Sequence, residues 1–244
     1  MIAQVRAELL KVRSTRTTLG LVGGMMGLTL LIVILSGLLT DPAGLTTEAD
    51  QVGLFATGGI ALIFSGLAGV LLITSEYRYG TIRPTCLFTP RRGRVLSAKL
   101  AAGLLAGLVF AVAAVGISIG VGVVILSARG IPSALGGSDF ALLAAGGGAA
   151  IALRGAFGVG LGAVVRNQVG AVIGLLAWDF VVNGLLFGLA PSVGRFMPTT
   201  AANALMGLKT RHLLSPAAGG AVLVGWTLLL ALAGLALTLR RDVA

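Results

Sequence analysis

The chain reads as an all-α integral membrane protein with six transmembrane helices. Composition says it first: 57% of the 244 residues are hydrophobic, 11% are charged and the mean hydropathy is +1.03. Soluble domains carry about a quarter of charged residues and cannot keep so apolar a chain in solution. Periodicity says it second. The apolar residues come in runs long enough to cross a hydrocarbon core, which takes about 20 helical residues. Such runs do not alternate and far exceed a barrel strand, which excludes a β-barrel.

The elements follow in order. Residues 2–16 place Ile2, Val5, Leu9 and Val12 on one helical stripe, with Arg6, Lys11 and Arg13 off it. This predicts an N-terminal amphipathic helix lying at the membrane interface; a plain extension of the first span is the other reading. Basic residues before an apolar run also fit a signal peptide. The run Thr18–Leu39 is too long and has no small-residue cleavage pattern, so it is expected to be retained as span one. The next loop, D-P-A-G-L-T-T-E-A-D, has three acids and no base. Span two is Val52–Thr74 and span three Leu100–Leu126, both uncharged. Span four, Phe140–Val165, contains Arg154, and span five, Val169–Ala190, contains Asp179. Pro191–Pro216 is too long for a turn and predicts a short extracellular or re-entrant helix after Pro198. Span six is Ala217–Leu239. The chain is expected to be one transmembrane domain, 1–244.

Orientation follows from lysine and arginine. With the N-terminus inside, thirteen of the eighteen basic residues fall on cytoplasmic segments, and Arg129, Arg195, Lys209 and Arg211 fall outside. The positive-inside bias therefore puts both termini in the cytoplasm. The net charge of +10 has the same origin, and without a basic face interleaved with aromatics no nucleic-acid partner is expected.

Much chemistry is excluded. There is no G-x-x-x-x-G-K-[ST] loop to cradle nucleotide phosphates. His212 is the sole histidine and Cys86 the sole cysteine, which leaves no histidine cluster, no cysteine cage and no internal disulfide. No metal, no cofactor and no catalytic residue is expected. Small-xxx-small spacings recur at Gly20/Gly24, Gly103/Gly107, Gly116/Gly120, Gly158/Gly162, Gly170/Gly174 and Gly184/Gly188. Among 38 glycines these favour close helix packing without choosing an interface.

Two features carry function. The first is the pair of charges inside the spans. Arg154 lies twelve residues before Arg166 and Asp179 thirteen after it, with the tight turn Arg166–Asn167 between. In an antiparallel hairpin both lie roughly 18–20 Å of helix from the turn. Charges in a bilayer are costly and normally pair or face water. An Arg154–Asp179 ion pair is one reading; each side chain snorkelling or facing a polar cavity alone is the other. The second feature is the polar segment Thr74–Leu100, T-S-E-Y-R-Y-G-T-I-R-P-T-C-L-F-T-P-R-R-G-R-V-L-S-A-K-L, which holds six basic residues between two uncharged spans. It reads either as a compact, structured polar knob between spans two and three or as a basic anchor for anionic lipid, at about 1 kcal/mol per basic residue.

E-Y-R-Y-G-T-I, the turn T-P-R-R-G-R and the S-A-K-L that opens span three resemble the first cytoplasmic loop of the type-2 ATP-binding-cassette permeases of bacterial exporters. The N-terminal A-E-L-L-K-V-R-S-T-R-T-T, the turn L-G-A-V-V-R-N-Q and the stretch R-F-M-P-T-T-A-A-N-A-L resemble the same family, in its order. The resemblance implies a coupling helix between spans two and three that docks on a separate ATPase subunit. It also implies a second permease chain, identical or different, in a bacterial plasma membrane. By position, Glu76, Tyr77, Arg78, Gly80, Thr81 and Arg83 would lie on or beside the docking surface, Pro90 and Arg92 at its turn, and Lys99 would lead into span three. Pro84 stands where that family continues a helix, and Asn183 where many members carry a glutamate. An exported amphiphile, peptide or drug-like compound fits that reading. An ion-coupled secondary transporter using Arg154 and Asp179, or a non-transporting scaffold or immunity protein, are the alternatives.

Overall fold

The computed structural model describes residues 2–81 and 92–240. Eleven α-helices order the described chain: α1 Ile2–Ser14, α2 Arg16–Leu39, α3 Glu48–Phe55, α4 Ala61–Arg78, α5 Arg92–Ala128, α6 Gly137–Val165, α7 Gln168–Ala177, α8 Asn183–Leu189, α9 Pro191–Gly194, α10 Pro198–Leu205 and α11 Pro216–Arg240. Among the described residues, six segments are long and apolar enough to cross a membrane: α2, α3–α4, α5, α6, α7–α8 and α11. The protein is an all-α, multi-pass membrane protein.

α6 is the central helix. Two thirds of its most apolar window is buried (67%), against 11–17% for α2, α7–α8 and α11, which therefore form the outside of the bundle. Small residues let the neighbours come close. A Cβ on Gly69 of α4 would collide with the carbonyl of Gly155, one on Gly155 with that of Gly103 of α5, and one on Gly158 with that of Gly66. Only glycine fits where backbones approach this closely. Of the six small-xxx-small spacings, Gly103/Gly107 and Gly158/Gly162 thus lie in tight contacts, whereas Gly116/Gly120 and Gly184/Gly188 face open space. Ser65 Oγ donates to Ile151 O at 2.7 Å across the same α4–α6 seam.

Several boundaries differ from the expected ones. α4 runs on to Arg78 and α5 starts at Arg92, so much of the polar 74–100 segment is helix rather than loop. The hydropathy boundary marks where apolar side chains stop, whereas helical hydrogen bonding continues through charged residues that favour helix. Span two begins at Glu48, where Thr47 caps α3, and a 3-10 turn at Ala56–Ile60 joins α3 to α4. Span five is likewise interrupted by a π-turn at Trp178–Val182.

α1 is separate from α2, because Thr15 between them is extended (φ −89°, ψ 128°). Its Val5 and Leu9 are half-buried, and Glu8 on the same face is buried against the bundle. The helix expected after Pro198 is present as α10; Thr200, Ala201, Ala202 and Ala204 are buried against the bundle. At the end of the bundle away from α1, Arg129 donates to Gly37 O and Thr40 O (2.6 and 2.7 Å), covering the open carbonyls of α2. Buried Gln51 bonds Leu45 O, Pro132 O and Ala134 N there, closing the two loops together.

Candidate functional site

Charged side chains gather inside the bundle at two places. The first lies where α1, α4 and α5 meet. Lys99, one turn after buried Leu96 on the inner face of α5, is 1% exposed. Its Nζ contacts Glu8 Oε2 and Glu76 Oε1, each at 2.8 Å, and Leu72 O at 3.5 Å. These contacts give the ammonium three acceptors for its three N–H groups. Lys11 repeats the arrangement from the outer side: its Nζ lies 2.9 Å from Glu8 Oε1 and 2.8 Å from Glu76 Oε1. Two lysines and two glutamates thus alternate in a neutral ring that clamps three helices. Burial lowers the Lys11 pKa, but hydrogen bonds to Glu76 and Glu8 and the charge of both carboxylates more than offset that, leaving it above 10.5.

Glu76 belongs to this clamp rather than to an outer face. It occupies the last turn of α4 after buried Ile73 and Thr74, and helical spacing turns it inward with them. Tyr77 is half-buried against the cluster of Ile73, Leu96, Val159 and Ala163, and the Arg166 guanidinium lies over its ring at 5.8 Å. Arg78 is exposed, reaching Gln168 Oε1 at 3.4 Å and lying 5.6 Å from the ring of exposed Tyr79. Gly80 turns the chain with φ +70°, and Thr81 is exposed. Arg83 and Pro90 lie outside the described residues, as does Pro84 with the segment expected to form the coupling helix. Arg92 opens α5. A cavity of about 280 Å³ adjoins the clamp, lined by Lys11, Arg16, Glu76, Tyr79 and Gln168 among others.

The second cluster lies between α6, the π-turn and α10. Arg154 is fully buried, and its Nη2 donates to Asp179 Oδ2. The guanidinium carbon also sits 4.7 Å from the Phe157 ring centre, a cation–π contact that disperses charge in an apolar setting. Asp179 Oδ1 accepts from Thr199 Oγ1 at 2.6 Å, and Asn183 Oδ1 accepts from Thr200 Oγ1 at 2.9 Å. Ala171, Leu175 and Asp179 form the buried stripe of span five at helical spacing. The structure therefore joins Arg154 to Asp179 across the hairpin, and α10 adds two hydroxyls to the same seam.

Sequence reasoning missed Glu8 and Lys11 as partners of the 74–100 segment, and Thr199 and Thr200 as partners of span five. Glu8 carried a signal: it falls at i+3 from Val5, on the apolar stripe of α1. The threonines carried none. No group of three or more candidate metal ligands occurs among the described residues.

A buried ionic clamp at one end, a buried ion pair at depth and six apolar spans define a multi-pass membrane protein with charged joints between its helices. The chain matches no family model and no curated protein.

Proposed function

We propose that this chain is the permease subunit of an ATP-driven exporter in a bacterial plasma membrane, with both termini cytoplasmic. The ATP is hydrolysed by a separate subunit, and a second permease chain completes the transporter. The observation that carries this reading is the Lys99–Glu8–Glu76–Lys11 clamp, from which Arg78, Tyr79 and Thr81 project in an exposed row at the end of α4. A push on that row is passed to α1 and α5 together, because buried ion pairs hold the three helices in one register. A chain with no phosphate loop of its own requires such a joint to couple to a motor. The resemblance of E-Y-R-Y-G-T-I to the docking loop of the type-2 ATP-binding-cassette permeases supports the same reading.

The test is co-purification from native membranes. The tagged wild-type chain is expected to capture an ATP-binding-cassette ATPase, and the double variant Arg78→Glu, Thr81→Trp to lose it while remaining folded, since both side chains are exposed. Equal capture by both would sink the docking role. Transport in sealed vesicles driven by an ion gradient without ATP would replace the reading with a secondary transporter.

A further inference from the structure

A second, larger cavity opens at the end of the bundle away from the clamp. It measures about 710 Å³ and lies between α3, the start of α6, the end of α10 and the 206–217 segment. That size falls within the range of small-molecule sites, which are mostly apolar with a few placed polar groups. The lining here fits that description, with Leu142, Leu143, Leu205, Met206, Leu213 and Leu214 among its apolar walls.

Three charged side chains line it: Glu48, Asp139 and Lys209. Lys209 Nζ is engaged by Glu48 Oε1 at 2.7 Å, which neutralises that pair. Asp139 remains. Its Oδ2 accepts the Gly136 N–H at 2.8 Å, and no cation among the described residues lies within ion-pair distance of it. Arg211 and His212, on the covering segment, are exposed and do not line the cavity. A mostly apolar space with one carboxylate outside any ion pair recognises an apolar body carrying a positive charge.

We propose that this cavity is a binding site for lipophilic cations, with Asp139 as the residue that selects their charge. The inference is independent of the ATPase reading, since it needs only the folded chain. Binding is measured by equilibrium dialysis on the full chain in neutral detergent, with tetraphenylphosphonium as the probe and its anionic isostere, tetraphenylborate, as the control. Wild type is expected to bind the cation at least about tenfold more tightly, the ratio that a single partly screened charge supplies. Asp139→Asn, which keeps an oxygen for the Gly136 N–H, is expected to abolish that preference. Ala145→Phe, from an exposed cavity-lining position, is expected to exclude both probes. Retained thermal unfolding temperatures for both variants certify the fold. Equal affinity for the two probes in wild type, unchanged charge preference in Asp139→Asn, or undiminished binding in Ala145→Phe would each overturn the proposal.

Discussion

Replacing Lys99 by Met removes the centre of the ionic clamp while keeping a side chain of similar length. The lysine is 1% exposed, and the two carboxylates it bridges retain only 7–8% side-chain exposure. After the substitution Glu8 and Glu76 remain buried with Lys11 as their only shared cation among the described residues. Removing one partner of a buried ion pair typically costs about 3–5 kcal/mol, because a charge is left without compensation. A loss of about 4 kcal/mol is therefore expected. In a chain of this length each kcal/mol moves the unfolding midpoint by about 2–4 °C, so the drop is on the order of 10 °C. Heating detergent-solubilised protein and measuring the surviving monodisperse peak by size-exclusion chromatography reads this directly. The discriminating variant is Lys99→Met with Glu8→Gln, which removes one charge of each sign and leaves the Lys11–Glu76 pair. It should recover more than half of the loss. If the double variant is as unstable as the sum of its single changes, the four side chains do not act as a unit and the clamp is wrong.

The remaining predictions concern other joints of the bundle. Arg154→Met and Asp179→Leu should each destabilise the protein by about 3–5 kcal/mol, whereas the two together should fall within about 1 kcal/mol of wild type, since an apolar pair satisfies the same space; additive losses in the same heating assay would refute the pairing. Gly155→Ala forces a Cβ against the Gly103 carbonyl and should cost upwards of about 2 kcal/mol, while Gly116→Ala faces open space and should be neutral or slightly stabilising. The Lys11 contribution has a defined pH window. Its pKa is raised on folding, so its stabilisation is fully present below about 10.5 and is lost only as pH rises through the higher folded value. Lys11→Met should thus lower the unfolding midpoint at pH 8 and lower it progressively less above pH 10.5, and a constant difference across that window would contradict the assignment.

Different parts of the architecture were legible to different degrees. The six spans could be read because hydropathy sums locally, and a run of twenty apolar residues means the same thing in any tertiary context. The Arg154–Asp179 pair could be framed because a tight turn between two helices makes depth a matter of counting from Arg166. The Thr74–Leu100 segment stood out by charge density, but its composition did not say which charges faced outward. Glu76 and Arg78 are two residues apart and look alike as polar loop residues, yet helical rotation buries the first and exposes the second. The π-turn at Trp178–Val182 had no marker such as a proline or a glycine pair, and it is coincident with the place where α10 docks its hydroxyls.

The sequence by itself determined that this chain is an α-helical membrane protein, how many times it can cross, and which segments concentrate charge. These properties depend on residue type and on spacing along the chain. Only the tertiary structure decided that Lys99 pairs with Glu8 and Glu76, which glycines bring α4 and α5 onto α6, and that Asp139 lines a cavity of about 710 Å³. The reason is geometric. Glu8 and Lys99 are separated by 91 positions, and whether they meet depends on the rotation and register of helices packed in three dimensions, which no local pattern encodes.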